Sequence, residues 1–294
     1  MTKPQIPFAL AQLRISSSPA FPAIVLDDAA VIPVDAVLPL AARLGLALTE
    51  ADSLDGLLRN WDHNFQALCA VVMALDDAEA GKYFRSAVSS LEFFTQDAPL
   101  SAPRQILSQN TLADGDFIPR LASTLVGPSA KVLIPPHSDG LWAEAKLGAV
   151  IARPLHRATL QEAADAIAGY VTLSDYTVAA DWEAGNAIAA KQGPTLLAGG
   201  PYLLPAAFAD DQQNLQCVIS FNGESRLEWS GPQIAPIART LSELSQQVQL
   251  FPGDLVAVGP KHSPTGQTRL EDGDIIEAAV SGLGRQTTNT IRES

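Results

Sequence analysis

The stretch "LWAEAKLGAVI", residues 141–151, decides how the rest of the chain is read. It has the composition of a strand, and strand side chains alternate between faces. Trp142, Glu144, Lys146 and Gly148 fall on one face; Ala143, Ala145, Leu147 and Ala149 make the other small and apolar. A carboxylate and an ammonium therefore stand two residues apart on the same side. Taken alone, such a pair is an exposed ion pair worth about 0–1 kcal/mol. The alternative is a working site with charged groups inside it.

Composition narrows the choice. The chain has 294 residues, 47% of them hydrophobic and only 17% charged, with a net charge of -13. That length supports one large core, or a core and a smaller domain. The low charged fraction suggests a covered surface, hence an oligomer. The acidic balance argues against nucleic acid and anionic membrane as partners, because both need basic patches. An acidic substrate would need lysine or arginine placed locally. Two cysteines, Cys69 and Cys217, in apolar surroundings suggest neither a disulfide framework nor a zinc site. No apolar run has the length of a leader segment or a membrane span, so a cytoplasmic protein is the expectation.

Around the opening strand the pattern changes twice. Residues 6–40 read as short strands broken by Pro and Asp-Asp. "DAVLPLAARLGL" (35–46), "SLDGLLRNWDHNFQALCAVVMALDD" (53–77) and "AEAGKYFRSAVSSLEFF" (78–94) carry helical spacing, the second with Asp52 or Ser53 as cap. "TQDAPLSAPRQ" (95–105) is a Pro-punctuated linker that predicts domains 1–100 and 101–294. Beyond it short strands and Gly/Pro turns dominate. Thr159 with Glu162 forms a capping box for a helix that Gly169 is expected to end, and Asn222-Gly223 marks a hairpin. Residues 234–250 read as a further helix. The fold class is α+β and β-rich.

Six segments, "EAKLGAVI" (144–151), "AGYVTLSDYT" (168–177), "AAKQGPTLLAGGP" (189–201), "FNGE" (221–224), "LFPGDLVAVGP" (250–260) and "LEDGDIIEAAVSGLG" (270–284), resemble the fumarylacetoacetate hydrolase superfamily in order and spacing. The resemblance covers roughly residues 101–294, and the N-terminal hundred only in its opening hairpin. It implies a mixed β-roll catalytic domain with a smaller N-terminal domain, a homodimer, and an enzyme acting on a small 2-oxo or 1,3-dicarbonyl acid. It also implies Mg²⁺ or Mn²⁺, a hard cation that chelates such acids and stabilises an enolate.

The same resemblance exposes departures. The family's metal ligands, a Glu-x-Glu pair and an Asp, fall on Glu144, Lys146 and Asp175, so the second Glu is a lysine here. The family's lysine falls on Lys191. Its turn and substrate segments fall on Gly200 and on Gly259, Lys261 and His262. Its histidine loop falls on 110–117, where Asn110 matches, Asp114 stands for the histidine and Asp116 is a candidate for the acid. The arginine that usually follows the Asp segment is Ala179. Lys146 would repel a dication roughly 4–6 Å away. The reading that follows favours no cofactor, with Glu144 and Asp175 as metal ligands only if a metal binds. Lys146 or Lys191 would polarise a carbonyl or form an imine, with Asp175 or Glu144 moving the proton. Loss of the histidine removes the implied water activator, so decarboxylation, dehydration and isomerisation gain on C–C hydrolysis. Two alternatives stay open: a catalytically lapsed protein that binds a ligand or partner, and an ordinary Mg²⁺-dependent hydrolase. An enzyme predicts a polar pocket at Lys146, Asp175 and Lys191; a lapsed protein predicts that pocket closed or filled.

Overall fold

The strand Leu141–Ile151 is buried along its whole length. In the computed structural model, which describes residues 6–75, 86–110, 116–260 and 268–294, it pairs antiparallel with the strand Ile167–Val178. The register sets Glu144 directly opposite Asp175. Leu255–Val258 borders the other side of Leu141–Ile151, followed by Ile106–Gln109 and Phe117–Arg120. Leu197–Gly199 lies against Ile167–Val178. Among the described residues this sheet has nine strands.

Alternation gives the sheet two different faces. Ala143, Ala145, Leu147 and Ala149 pack against Cys217, Ile219, Trp229 and Ile276 of a second, five-stranded sheet. Small residues on one side let large ones on the other interdigitate at crystal-like density. The Trp229 indole N–H donates to the Ala145 carbonyl at 2.8 Å, so its polar edge is satisfied inside this core. The second sheet holds the Asn222-Gly223 hairpin between Gln216–Phe221 and Glu224–Ser230. Both turn residues have positive φ, 51° and 88°, as a tight hairpin turn requires.

The other face of the nine-stranded sheet, with Val150, Val171, Leu173 and Leu197, shares a core with the N-terminal segment. That segment brings a sheet containing Ala9–Arg14, Phe21–Leu26 and Ala30–Pro33, with helices Val34–Arg43, Leu54–Arg59 and Trp61–Leu75. Ser53 is the cap: its hydroxyl accepts from the Gly56 N–H at 3.0 Å. Leu10, Leu54, Leu57 and Leu68 are fully buried in the shared core. The chain thus has a β-rich α+β fold with a smaller N-terminal domain, and that domain packs on the sheet face that carries Glu144 and Lys146.

Three local expectations change. Helical spacing at 86–94 gives way to the strand Ser89–Ser90 and a short turn at Leu91–Phe93. Edge pairing with Ala30–Pro33 outweighs a weak helical pattern there. The linker at 95 begins with Thr95–Asp97, which pairs with Ala9–Arg14 and so belongs to the N-terminal sheet. Gly169 does not end the helix, which spans Leu160–Asp165 with its capping box at Thr159 and Glu162. It lies inside a strand, where an added Cβ would stand 2.3 Å from the Leu204 carbonyl oxygen.

Gln286 links the two sheets. Its amide donates to the carbonyls of Thr172 (2.7 Å) and Gly200 (2.8 Å), and its oxygen accepts from the Ser174 hydroxyl (2.7 Å), all buried. Leucine at this position keeps the volume and strands those groups without partners. Gln286→Leu is expected to lose about 2–4 kcal/mol of stability in urea unfolding followed by circular dichroism. A loss below about 0.5 kcal/mol, the scale of a surface change, would contradict this account of the sheet junction.

Candidate functional site

The Glu144–Asp175 rung answers the question raised by "AEAK": the pair is not a surface pair. Glu144 is 1% exposed, Lys146 and Asp175 are 0% and Lys191 is 1%. Lys146 Nζ reaches Asp175 Oδ2 at 2.7 Å and Glu144 Oε2 at 3.3 Å. It also donates to the Gln109 carbonyl at 2.7 Å and the Ser108 hydroxyl at 3.1 Å. Lys191, at the end of the turn Ala189–Lys191, brings Nζ to Asp175 Oδ1 at 3.1 Å and to 3.6 Å from Glu144 Oε2. Glu144, Lys146, Asp175 and Lys191 thus lie in one buried cluster.

Sequence reasoning missed two others. Arg120 is buried and its guanidinium donates to Asp175 Oδ1 and, at 2.8 Å, to the Leu196 carbonyl. The Ser108 hydroxyl donates to Asp175 Oδ2 at 2.5 Å. Both lie on the hairpin Ile106–Gln109/Phe117–Arg120. The one available signal was the alternation of "FIPR", which sets Ile118 and Arg120 on the same face; no spacing rule names a partner 55 residues away.

Charge explains how these groups coexist. Burial would raise the Asp175 carboxyl, but Lys146, Lys191 and Arg120 hold it well below the usual carboxylate range. Burial would lower the Lys146 ammonium; Asp175 and Glu144 outweigh it and hold the group above its ordinary value. Burial, joined by the Lys146 and Arg120 charges, prevails over Asp175 at Lys191 and keeps that amine below its ordinary value. Buried charges persist only when paired and hydrogen-bonded.

The remaining expected residues divide. Gly259 donates its N–H to the Gln109 side chain at 3.3 Å, next to the cluster. Gly200 is tied into the sheet junction: its N–H donates to the Thr172 carbonyl and its own carbonyl accepts from Gln286. Lys261, His262 and Asp114 lie outside the described residues. Asp116 is not in the cluster; it lines a cavity of 620 Å³ on the opposite face of the strands Ile106–Gln109 and Phe117–Arg120, with Leu107, Gln109, Phe117 and Pro119.

The profile of the fumarylacetoacetate (FAA) hydrolase C-terminal domain matches residues 107–292, more than half of the chain. The chain belongs to this family. A 2,4-didehydro-3-deoxy-L-rhamnonate hydrolase from Sphingomonas sp. (strain SKA58) is 30% identical over 179 residues, 56% of this chain. The chain spans 60% of that relative's length. An uncharacterized protein from Staphylococcus aureus (strain USA300) is 26% identical over 257 residues, covering 80% of this chain and 84% of the relative. Maleylpyruvate hydrolase from Sphingobium sp. SYK-6, solved with manganese(II) and pyruvate, superposes with a TM-score of 0.74 at 18% identity, over 97% of this chain and 100% of that one. At that identity the likeness shows the fold.

The neighbour's manganese raises the question of fit. Here the gap between Glu144 and Asp175 is filled by Lys146 Nζ, within 3.3 Å of both carboxylates, and Lys191 stands within 3.6 Å of both. Among the described residues no group of three metal-binding side chains comes together. A hard dication needs a shell of oxygens, and these carboxylates face three cations. The described site does not fit a divalent metal.

Two measurements check the geometry. Asp175→Ala removes the common counter-charge of three buried cations and is expected to cost about 3–5 kcal/mol. The exposed pair Arg153–Asp62 should change stability by less than about 1 kcal/mol when Arg153 becomes Ala. Because the folded Asp175 carboxyl is lowered, its contribution is complete above its unfolded value of about 3.9. It disappears only as pH falls through the lower folded value, so parent and variant melts should converge in acid and not at neutrality. Lys146→Glu, in turn, puts a third carboxylate on the Glu144–Asp175 rung. Calorimetry should show Mn²⁺ binding in the variant and much weaker binding in the parent, and the metal should raise the variant's melting temperature by mass action. Equal affinities would mean that Lys146 does not stand at a metal position.

Proposed function

We propose that this family member is an enzyme acting on a small 2-oxo or 1,3-dicarbonyl acid through a cationic cluster in place of a metal centre. The observation that carries this reading is the Lys146 ammonium lodged between Glu144 and Asp175. Family membership and the enzyme names of relatives such as the rhamnonate hydrolase support catalysis. The chemistry follows from the charges. Ammonium and guanidinium groups in a dry site polarise a carbonyl oxygen and stabilise the enolate formed when a C–C bond breaks or a proton moves. Asp175 is held ionised by three cations, which makes it a poor proton carrier and a good anchor. Glu144, with longer contacts to both lysines, is the better candidate to accept a proton from carbon. Decarboxylation, dehydration and isomerisation suit this arrangement, since none needs an activated water.

One observation favours the second reading, a lapsed enzyme that binds a ligand or partner. Glu144, Lys146, Asp175 and Lys191 are at most 1% exposed, and the two lysines compensate both carboxylates without a substrate.

Turnover decides between them. Oxaloacetate, maleylpyruvate and related 2-oxo and 1,3-dicarbonyl acids should be offered with EDTA present, and products followed by absorbance and NMR. The enzyme reading expects turnover of at least one acid that survives EDTA and falls by roughly two orders of magnitude or more in Glu144→Gln. Activity only with added Mg²⁺ or Mn²⁺ would restore the ordinary metal-dependent hydrolase, and no turnover of any acid would favour the lapsed reading.

A further inference from the structure

Two sequence periods meet at the 620 Å³ cavity. Residues 240, 243, 244 and 247, spaced by three and four, form one stripe along the helix Ile237–Leu244 and the turn that continues it. Residues 107 and 109, with 117 and 119, are spaced by two and form one face of the strands Ile106–Gln109 and Phe117–Arg120. Both sets line the cavity, which therefore lies between helix and sheet. Ser108 and Arg120 belong to the other face of the same strands, where they bond to Asp175. The cavity is thus separate from the cluster, and its size falls within the roughly 300–1,000 Å³ of small-molecule pockets.

Its lining has an apolar part and an acidic part. Leu107 and Leu244 are buried and Phe117 is half-buried, while Asp116 and Glu243 are exposed. Among the described residues no lysine, arginine or histidine lines the cavity, and no cation pairs with either carboxylate. Thr240 adds an independent observation. It is only 7% exposed and its backbone N–H is bonded to the Pro236 carbonyl at 3.0 Å, yet its hydroxyl meets no hydrogen-bond partner among the described residues. A helix packed on a sheet normally presents an apolar stripe. Here that stripe carries a buried hydroxyl and a carboxylate into an unfilled space, and a polar group so placed calls for a partner.

We propose that this cavity binds a small organic ammonium ion with an apolar body. Leu107, Phe117 and Leu244 take the body, as apolar surface leaving water. Asp116 and Glu243 supply the negative charge, and the Thr240 hydroxyl accepts a hydrogen bond from the ammonium. The Phe117 ring adds the attraction of an aromatic face for a cation. Charge also sets what is refused. An acid of the kind named under Proposed function would meet two carboxylates here and no cation, so the cavity takes a second ligand whose charge is opposite to that of such an acid.

The test titrates benzylamine, phenethylamine and cyclohexylmethylamine into the full chain at low ionic strength, followed by calorimetry and ligand-observed NMR. At least one amine is expected to bind. The alcohol of the same shape should bind roughly tenfold more weakly, the scale of one charge-assisted hydrogen bond, and phenylacetate should not bind. Glu243→Gln keeps the side chain's size and removes its charge; it should weaken the amine about fivefold or more. Thr240→Val keeps the shape and removes the hydroxyl, with a loss of similar scale. Gln247→Lys places an ammonium on the chain itself beside the cavity and should abolish amine binding. Glu243 and Gln247 are exposed, so these two variants should melt within a few degrees of the parent and decide the matter even where Thr240→Val destabilises the fold. Failure of all three amines to bind the parent overturns the proposal. So does equal binding of amine and alcohol, or an amine affinity unchanged in folded Glu243→Gln and Gln247→Lys.

Discussion

Asp175 carries the arrangement. Its two oxygens accept from Lys146, Lys191, Arg120 and Ser108, and those donors come from four separate elements of the chain. A carboxylate buried at the centre of a sheet is unfavourable by several kcal/mol until its charge and lone pairs are met. Each donor in turn would be unfavourable there without the carboxylate. The site is therefore a mutual constraint: no single member is stable in that position alone, and together they fix the relative placement of the central strands, the paired strands Ile106–Gln109 and Phe117–Arg120, and the turn at Lys191.

That constraint explains why the surrounding sheet is so regular. Glu144 and Asp175 are cross-strand neighbours in an antiparallel ladder whose register shifts only between Val150 and Ile151. A one-residue slip would turn both carboxylates into the apolar core formed by Ala143, Ala145 and Leu147. The polar face and the apolar face thus specify the same register from opposite sides. Gln286 and the Trp229 indole then tie the second sheet to this one through buried hydrogen bonds, which gives the rung a rigid backing.

A metal centre and an ammonium solve the same electrostatic problem differently. A dication gathers carboxylates and keeps positions open for a ligand's oxygens. A lysine neutralises one charge and saturates its own valence with three acceptors, as Lys146 does. Positive charge beyond that has to come from neighbouring side chains, and here Lys191 and Arg120 supply it. In this member of the fumarylacetoacetate hydrolase family the central sheet carries a cluster built from lysine, arginine and carboxylate side chains, and function resides in such sites rather than in the fold itself.

Much of this was legible in the sequence. Alternation in 141–151 assigned faces correctly, six segments in order pointed to the family, and Thr159, Ser53 and Asn222-Gly223 marked their caps and turn, because those signals are local and depend on backbone geometry alone. Glu144, Lys146, Asp175 and Lys191 could be named from motif position. What sequence could not supply was burial, since an ion pair two residues apart reads identically on a surface and in a core. Nor could it supply Arg120 and Ser108, whose roles exist only because a hairpin folds back beside a strand distant in the chain. Local propensity determines elements and turns; only tertiary packing decides which charges lose water, and the loss of water is what turns four scattered side chains and an unforeseen arginine into one coupled site.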